Sequence, residues 1–246
     1  MGRDQPLTQA VTTAIILAGG FGTRLRAAVS DVPKPLAPVG GRPFLALQLD
    51  WLERHGIESV CISAHYMADK ILSYAAEARQ TTGLAINVVV EDEPLGTGGA
   101  VCHAMNSIAD TGDVVVMNGD TYYAFDLRQL TDDHRTRQGI ATMAVAPVEN
   151  CSRYGTVEIE GGKVRSFRQA MGAATAGLVN CGLYAFSRKA LTRTPSGPFN
   201  MEKDFFPQLA ADGVLNACLI NDAEAFTDIG LPEAYAEFSA KFVQGA

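Results

Sequence analysis

A glycine-rich turn directly after an apolar run is the most informative feature of this 246-residue chain. Residues 14–18 are all apolar, and residues 19–24 read Gly-Gly-Phe-Gly-Thr-Arg. Glycines let backbone N–H groups approach a polyphosphate without interference from Cβ, and a helix N-terminus beyond them favours negative charge. Arg24 adds a full positive charge, and Lys34, which stands between two prolines, adds a second. This spacing predicts a nucleoside triphosphate site.

Two commoner phosphate-binding loops are excluded. Gly20-Phe21-Gly22 begins like the dinucleotide fingerprint G-x-G-x-x-G, but Leu25 occupies the third glycine position. The Walker sequence G-x-x-x-x-G-K-[ST] is also absent, since no Gly-Lys pair precedes a Ser or Thr here. What remains is L-A-G-G-x-G-T-R-L followed by P-K-P. This pattern resembles the sugar-phosphate nucleotidyltransferase family, and the resemblance extends over residues 13–242.

The elements that must position these residues alternate regularly. The pattern predicts strands at 14–18, 60–63, 86–90 and 114–117 and helices at 43–55, 67–79 and 97–108. Strands that alternate with helices imply right-handed crossovers and a doubly wound, mostly parallel sheet that binds ligands at the carboxyl ends of its strands. We therefore predict an α/β protein, which the resemblance specifies as a Rossmann-like nucleotidyltransferase fold.

The last third of the chain changes character. Gly161-Gly162 separates two strand-like segments at 156–159 and 164–167, which is a plain hairpin signal, and a further strand is predicted at 178–186. Residues 191–200 are predicted as a loop and residues 232–242 as a closing helix. We expect a C-terminal β-rich lid that binds the sugar, within a single domain at 13–243 that follows a flexible tail at 1–12.

Composition and charge narrow the class of protein. Hydrophobic residues make up 47% and charged residues 19%, as in an ordinary globular enzyme, and the net charge of −7 argues against nucleic acid and membrane surfaces as partners. Five scattered cysteines without C-x-x-C argue against zinc and a disulfide framework. Residues 1–12 lack the apolar core of a signal peptide, and no apolar run approaches the ~20 residues of a membrane span. We expect a cytoplasmic protein, and a homodimer is left open.

Nucleotidyl transfer joins an oxygen of a sugar 1-phosphate to the α-phosphorus of the triphosphate and expels pyrophosphate. The protein must position two polyanions and neutralise growing charge, and Arg24, Arg26 and Lys34 supply local positive charge. The resemblance implies that Asp120, in Asn-Gly-Asp-Thr, and Asp228 bind magnesium, whose octahedral shell suits two carboxylates with waters and phosphate oxygens. Arg24, Lys34 and Asp120 are the predicted catalytic residues.

A second glycine-rich segment at 93–99 reads Glu-Pro-Leu-Gly-Thr-Gly-Gly. The resemblance places nucleobase recognition here, and the segment is most similar to the guanylyltransferase branch of the family. Guanine offers N1–H and N2–H₂ as donors, so that Glu91 or Glu93 would be a fitting acceptor. The predicted nucleotide-binding residues are Leu17, Ala18, Gly19, Gly20, Gly22, Thr23, Glu93, Gly96, Thr97, Asn118 and Gly119.

Three later stretches resemble the family's sugar-binding elements. Residues 153–157 resemble R-[FY]-G-x-[VI], residues 180–184 resemble N-[AG]-G-[IL]-Y, and residues 201–207 resemble S-x-E-x-D-x-[FL]-P. One departure is that relatives carry a lysine near the end of the 164–167 strand, where this chain has Arg168. Arg168 could take the phosphate bidentately, or Lys163 or Arg165 could reach in. The predicted sugar-phosphate-binding residues are Gly155, Arg168, Asn180, Gly182 and Glu202.

Within the family the chain looks most similar to D-glycero-α-D-manno-heptose 1-phosphate guanylyltransferases, which make GDP-heptose for bacterial surface glycans such as lipopolysaccharide and capsule. The expected substrates are therefore GTP and a sugar 1-phosphate. Mannose-1-phosphate guanylyltransferase and a uridylyltransferase of muramic-type sugars are the alternatives. A regulatory subunit that binds nucleotide sugar without turnover is a further alternative, although Arg24, Lys34, Asp120 and Asp228 argue against it.

Overall fold

The computed structural model describes residues 10–25, 29, 31–109, 112–168 and 175–244, so that Arg26 and residues 1–9 of the expected tail lie outside it. In chain order the strands are β1 (Thr13–Leu17), β2 (Pro38–Val39), β3 (Arg42–Pro43), β4 (Ser59–Ala64), β5 (Ala85–Val90), β6 (Val114–Asn118), β7 (Thr121–Tyr123), β8 (Ala141–Val148), β9 (Thr156–Glu160), β10 (Lys163–Arg168), β11 (Gly177–Phe186), β12 (Leu215–Leu219) and β13 (Phe226–Asp228). The helices are α1 (Phe44–Arg54), α2 (Ala68–Thr81), α3 (Gly96–Ser107), α4 (Arg128–Arg137), α5 (Phe206–Ala211) and α6 (Pro232–Gln244).

Nine strands form one mixed sheet in the order β5-β4-β1-β6-β11-β8-β12-β10-β9. The first four of these are parallel, as predicted. Beyond β6 the sheet continues through β11, which runs antiparallel to both β6 and β8, while β12 is parallel to β8. The β9–β10 hairpin lies at the far edge, and β9 also touches β11 where Thr156 pairs with Val179. The uninterrupted parallel part of the sheet therefore ends at β6, and beyond it the pairing is mixed.

Helices pack on both faces of the sheet, because successive side chains of a strand point to opposite faces. On β1, Ala14 and Ile16 join the core cluster that contains buried residues of α1, α2 and α4, whereas Ile15 joins the cluster that contains α3 and α5. All three side chains have no exposed surface. This two-sided burial explains the uninterrupted apolar run and confirms the doubly wound α/β arrangement.

The predicted strands and helices of the first 120 residues agree with the structure to within two residues at each end. The hairpin, the strand at 178–186 and the closing helix are also present, while part of the predicted 191–200 loop belongs to a 3₁₀ segment at Arg188–Arg193. The helices α4 and α5 and the strands β2, β3, β7, β8, β12 and β13 were not predicted. None of the helices in the described part of the chain has the length and apolar character that a membrane crossing requires. The single-domain organisation stays a prediction.

Candidate active site

A pocket of about 370 Å³ opens at the carboxyl ends of the parallel strands, where doubly wound sheets bind their ligands. It brings together most of the residues that the sequence proposed for the nucleotide and for catalysis. Predicted residues that line it are Leu17, Ala18, Gly19, Gly20, Gly22, Lys34, Gly96, Thr97, Asn118, Gly119, Asp120 and Glu202. Predicted residues outside that lining are Thr23, Arg24, Glu93, Gly155, Arg168, Asn180, Gly182 and Asp228.

The glycine-rich turn forms one wall of the pocket. The N–H of Ala18 donates to the carbonyl of Ser63 at 2.8 Å, which continues the pairing of β1 with β4 into the turn. Gly22 adopts φ +59°, in the left-handed region that favours glycine. A Cβ on Gly22 would stand 3.5 Å from the Cβ of Lys34, so the turn and the lysine are in contact. The glycine-rich turn and Lys34 therefore form one wall of the pocket together.

Asp120 follows β6, and its backbone position is fixed by close packing. The N–H of Gly119 donates to the carbonyl of Leu17 at 3.0 Å, and a Cβ at Gly119 would overlap that same oxygen. On the other side, the buried amide of Gln48 in α1 donates through Nε2 to the carbonyls of Asn118 and Thr121, both at 2.9 Å. Gln48 was not among the predicted site residues, although an amide within the apolar face of a helix was a signal that could have found it.

Asp228 reaches the same place through a two-stranded sheet. β13 pairs antiparallel with β7, with Asp228 opposite Thr121, and the N–H of Ile229 donates to the carbonyl of Asp120 at 2.9 Å. The carboxylate Oδ1 of Asp228 accepts from the N–H of Gly230 at 2.6 Å. These bonds bring two aspartates that are more than 100 positions apart in the sequence to one point.

Lys34 and both aspartates surround Gly230. Nζ of Lys34 lies 2.7 Å from Oδ2 of Asp120. A Cβ built on Gly230 would stand 2.7 Å from Oδ1 of Asp228, 3.2 Å from Nζ of Lys34 and 3.5 Å from Oδ2 of Asp120. Among the described residues no group of three or more His, Cys, Asp or Glu side chains could hold a metal ion. The candidate cation site is therefore a pair of carboxylates beside a lysine.

The acids of the site destabilise one another when ionised. Burial raises the pKa of Asp228, the charge of Asp120 raises it further, and Lys34 and Arg24 act in the opposite direction. Burial, followed by the charge of Asp120, also raises the pKa of Glu202. Arg24 is exposed and outside the pocket lining, but its positive charge lowers the pKa of Asp228 slightly.

The two glutamates proposed as guanine acceptors lie in different environments. Glu93 is exposed and lies outside the pocket lining. Glu91 is 7% exposed and lines the pocket, where Oε1 accepts from the hydroxyl of Ser63 at 3.0 Å and Oε2 from the N–H of Leu95 at 3.0 Å. The geometry therefore favours Glu91, which the sequence raised but did not retain among the site residues.

Further residues line the pocket without having been predicted as site residues. The ring of His65 bonds through Nδ1 to the backbone oxygen of Glu91 at 2.9 Å, and Phe21 packs against the rings of His65 and Tyr66 with centroids 5.7 Å apart in each case. Phe21 is 48% exposed at the tip of the glycine-rich turn. The other unpredicted lining residues are Pro35, Pro94, Ala100 and Met201.

The predicted sugar residues separate into two groups. Nδ2 of Asn180 lies 3.5 Å from Oε1 of Glu202, and Oδ1 of Asn180 accepts from the N–H of Gly182 at 2.9 Å, so these three form one cluster at the pocket edge. Gly155 instead packs at the base of the β9–β10 hairpin, where a Cβ would stand 2.9 Å from the carbonyl oxygen of Arg168. The guanidinium of Arg168 is exposed and paired with Glu158. The described geometry thus gives Arg168 a partner outside the pocket.

A family model for nucleotidyl transferases matches residues 13–245. The chain belongs to this family. The chain is 37% identical over 224 residues to a D-glycero-α-D-manno-heptose 1-phosphate guanylyltransferase of Aneurinibacillus thermoaerophilus, a match that covers 90% of this chain and 94% of the relative. It is 34% identical to a probable mannose-1-phosphate guanylyltransferase of rice, of which it spans 62%, while 90% of this chain is covered.

Among solved structures, HddC from Yersinia pseudotuberculosis superposes with a TM-score of 0.83 at 32% identity, covering 94% of this chain and all of that one. A second structure of HddC, described as complexed with GMP-PN, gives a TM-score of 0.82. The predicted membership of the nucleotidyl transferase family and the predicted likeness to heptose 1-phosphate guanylyltransferases are confirmed. The roles proposed for individual site residues stay predictions.

Proposed function

We propose that the protein transfers a guanylyl group from GTP to a sugar 1-phosphate, with D-glycero-α-D-manno-heptose 1-phosphate as the favoured acceptor. The observation that carries this proposal is the gathering of the glycine-rich turn, Lys34, Asp120 and Glu202 around one pocket. The guanylyltransferase names of the relatives support it, since those relatives match nine tenths of this chain. The products are GDP-sugar and pyrophosphate.

The reaction is an in-line displacement at phosphorus. An oxygen of the sugar 1-phosphate forms a bond to the α-phosphorus of GTP, while the bond between that phosphorus and the bridging oxygen of pyrophosphate breaks. Backbone N–H groups of the glycine-rich turn hold the phosphates, and the negative charge that develops on pyrophosphate is neutralised by Lys34 and Arg24. Such placement of fixed charge where charge develops is the principal source of catalysis in this chemistry.

The site fits a magnesium ion. The carboxylates of Asp120 and Asp228 both lie beside Gly230 and present hard oxygen ligands, and a cation held between them would stabilise the ionised form of each. When bound, Mg²⁺ would neutralise phosphate charge and fix the geometry of the triphosphate. Asp120 and Asp228 would hold it, and Lys34, which pairs with Asp120, lies beside them.

Glu91 suits the recognition of guanine. Each of its carboxylate oxygens accepts one hydrogen bond from the protein, and a carboxylate oxygen has two lone pairs. The remaining lone pairs can accept from N1–H and N2–H₂ of guanine. Uracil and adenine do not present two adjacent donors on that edge, so this pair of contacts should discriminate by about 1–3 kcal/mol, by analogy with bidentate base readout.

We assign the selection of the sugar 1-phosphate to the cluster of Asn180, Gly182 and Glu202. The Glu202 carboxylate lines the pocket and accepts from Asn180, so both side chains can bond to sugar hydroxyls.

A non-catalytic regulatory subunit would have no need of a lysine and two aspartates at one point, and the site therefore favours turnover. Delivery to a bacterial surface glycan, a cytoplasmic location and a homodimer stay predictions.

The decisive experiment is a pyrophosphate-release screen that crosses GTP, ATP, UTP and dTTP with heptose, mannose and muramic-type 1-phosphates. We expect GTP with heptose 1-phosphate to give the highest rate, and activity to disappear in EDTA. Asp120→Asn and Asp228→Asn should fold normally and lose activity by orders of magnitude. A clear preference for UTP or dTTP would contradict the guanylyl assignment, and full activity in EDTA would contradict the magnesium site.

A further inference from the structure

Phe199 fills a slot lined by Gly96 and Gly98. Both glycines belong to the segment at 93–99 that is proposed to bind the nucleobase, and this segment is called the nucleotide-binding loop below. Its ring is 7% exposed and lies over Gly98, where a Cβ would overlap the ring carbons. A Cβ at Gly96 would stand 2.5 Å from the carbonyl oxygen of Phe199. The absence of side chains at these two glycines is therefore what allows the segment around Phe199 to pack directly against the loop.

Backbone hydrogen bonds tie the same two segments together. The N–H of Phe199 donates to the carbonyl of Leu95 at 3.0 Å, and its carbonyl accepts from the N–H of Gly98 at 3.0 Å. The N–H of Met201 donates to the hydroxyl of Thr97 at 2.9 Å. Backbone and side-chain hydrogen bonds thus join the loop to the segment around Phe199 on both sides of the ring.

The segment leads within three residues to Glu202, and hydrogen bonds of Asn200 hold the intervening chain. Oδ1 of Asn200 accepts from the N–H groups of Glu202 and Lys203 at 2.9 and 3.1 Å, and the N–H of Asn200 donates to Oδ2 of Asp204 at 2.7 Å. Residues Met201–Phe205 form a π-helical turn, a rare geometry that is frequent at functional sites. Glu202 therefore follows the position of Phe199 closely.

The two ends of this connection face the same pocket. Gly96 and Thr97 line it on the loop side, and Met201 and Glu202 line it on the other. We propose that Phe199 is a positioning residue that couples the nucleotide-binding loop to Glu202, so that bound GTP raises the affinity for the sugar 1-phosphate and the sugar 1-phosphate raises the affinity for GTP by the same factor. This inference rests on the proposed function, because it concerns the two substrates named there.

The test uses two variants that disturb the slot and one matched control. Phe199→Leu replaces the aromatic ring in the slot by a smaller apolar side chain, and Gly98→Ala adds a methyl group where the ring lies. Phe186→Leu is the control, because Phe186 is buried in the same core, lines the same small cavity as Phe199 and stacks against Phe205, but is not the residue that Gly96 and Gly98 contact. It pairs with Val114 at the opposite end of β6 from the pocket.

Calorimetric titration of heptose 1-phosphate with and without saturating α,β-methylene GTP and Mg²⁺ gives the coupling factor. This analogue prevents turnover because its α–β bridge is not cleaved. We expect a factor of about five or more in the wild type and in Phe186→Leu, and below about two in Phe199→Leu and Gly98→Ala. Hydrogen exchange adds a readout that needs no sugar: the analogue alone should protect the amides of residues 201–205 in the wild type and in Phe186→Leu, but not in the two slot variants.

The outcomes separate the inference from the proposed function. A wild type that turns over GTP but shows a coupling factor of one, or unchanged exchange at 201–205, overturns the inference alone. The same holds if both slot variants keep the wild-type factor, or if Phe186→Leu loses it equally. A wild type that neither binds the analogue nor turns over GTP overturns the proposed function and the inference together.

Discussion

Substituting Gly230 by alanine tests whether the arrangement of Lys34 and the two aspartates controls the rate. The change removes no functional group and no charge. The new Cβ would stand 2.7 Å from Oδ1 of Asp228 and 3.2 Å from Nζ of Lys34, and ordinary van der Waals contact begins at 3.4 Å. Asp228 must therefore retreat by roughly 0.7 Å, or Gly230 must move away from the site with its hydrogen bond to that carboxylate.

A displacement of this size should be costly for catalysis and modest for stability. A misplacement of about 1 Å can cost about 100-fold in rate, so we expect the turnover number of Gly230→Ala to fall by about 10- to 100-fold, which corresponds to about 1.4–2.7 kcal/mol. Overpacking of this kind destabilises by about 1–3 kcal/mol. For a chain of this size that loss lowers the melting temperature by roughly 2–4 °C per kcal/mol.

The assay is the initial rate of pyrophosphate release from GTP and heptose 1-phosphate over a series of Mg²⁺ concentrations, corrected for the folded fraction. We expect the half-saturating Mg²⁺ concentration to rise as the turnover number falls. Gly139→Ala is the matched control, because its Cβ would overlap the buried side chain of Asn216 far from the pocket. It should lose stability and keep its rate. If Gly230→Ala turned over within twofold of the wild type, the claim that these distances govern the chemistry would be refuted.

Three further predictions concern charge, positioning and pH. Arg24→Ala should lower the turnover number by about 100-fold with little change in KM for GTP, because charge grows on the departing pyrophosphate; a rise in KM alone would make Arg24 a uniform binder. Gln48→Leu removes the Nε2 donor that the carbonyls of Asn118 and Thr121 share beside Asp120, so calorimetric unfolding should show a loss of about 1–3 kcal/mol in unfolding free energy, and an unchanged melting temperature would contradict this. Burial lowers the pKa of His134 from its ordinary 6.5, with Asp113 and Asp133 acting in the opposite direction. The unfolded chain therefore binds the proton first as pH falls below 6.5, and the unfolding free energy should drop by up to about 1.4 kcal/mol per pH unit, a slope that His134→Gln should remove.

The first 120 residues were predictable because their signals are local. Buried parallel strands such as 14–18 are short apolar runs, and the glycines that follow mark where each strand ends. β8 was not predicted because Ala141–Val148 is rich in alanine and carries a proline, which gives no strand periodicity, although its first six residues are buried at the centre of the sheet. β12 was not predicted because Asn216 interrupts its apolar pattern.

The candidate site shows the same division between local and non-local information. The glycine-rich turn and Asp120 were predictable as strand ends of one sheet, but Asp228 owes its place to the pairing of β7 with β13, which are three residues each and about 100 positions apart. Elements that short carry no periodicity, so Asp228 could be proposed only by resemblance. Glu91 and Glu93 are two positions apart, and which of them enters the pocket depends on the turn that follows β5.

The site brings buried carboxylates close together, and their mutual repulsion when ionised destabilises the folded protein. Burial and the nearness of Asp120 raise the pKa of both Asp228 and Glu202, and Lys34 is paired with Asp120. Perturbed acids of this kind are concentrated where a protein does chemistry. The glycine at position 230 permits this crowding because any side chain there would separate the carboxylates. A bound cation would lower the energy of the ionised acids, so that Mg²⁺ with GTP should stabilise the folded protein as well as activate it.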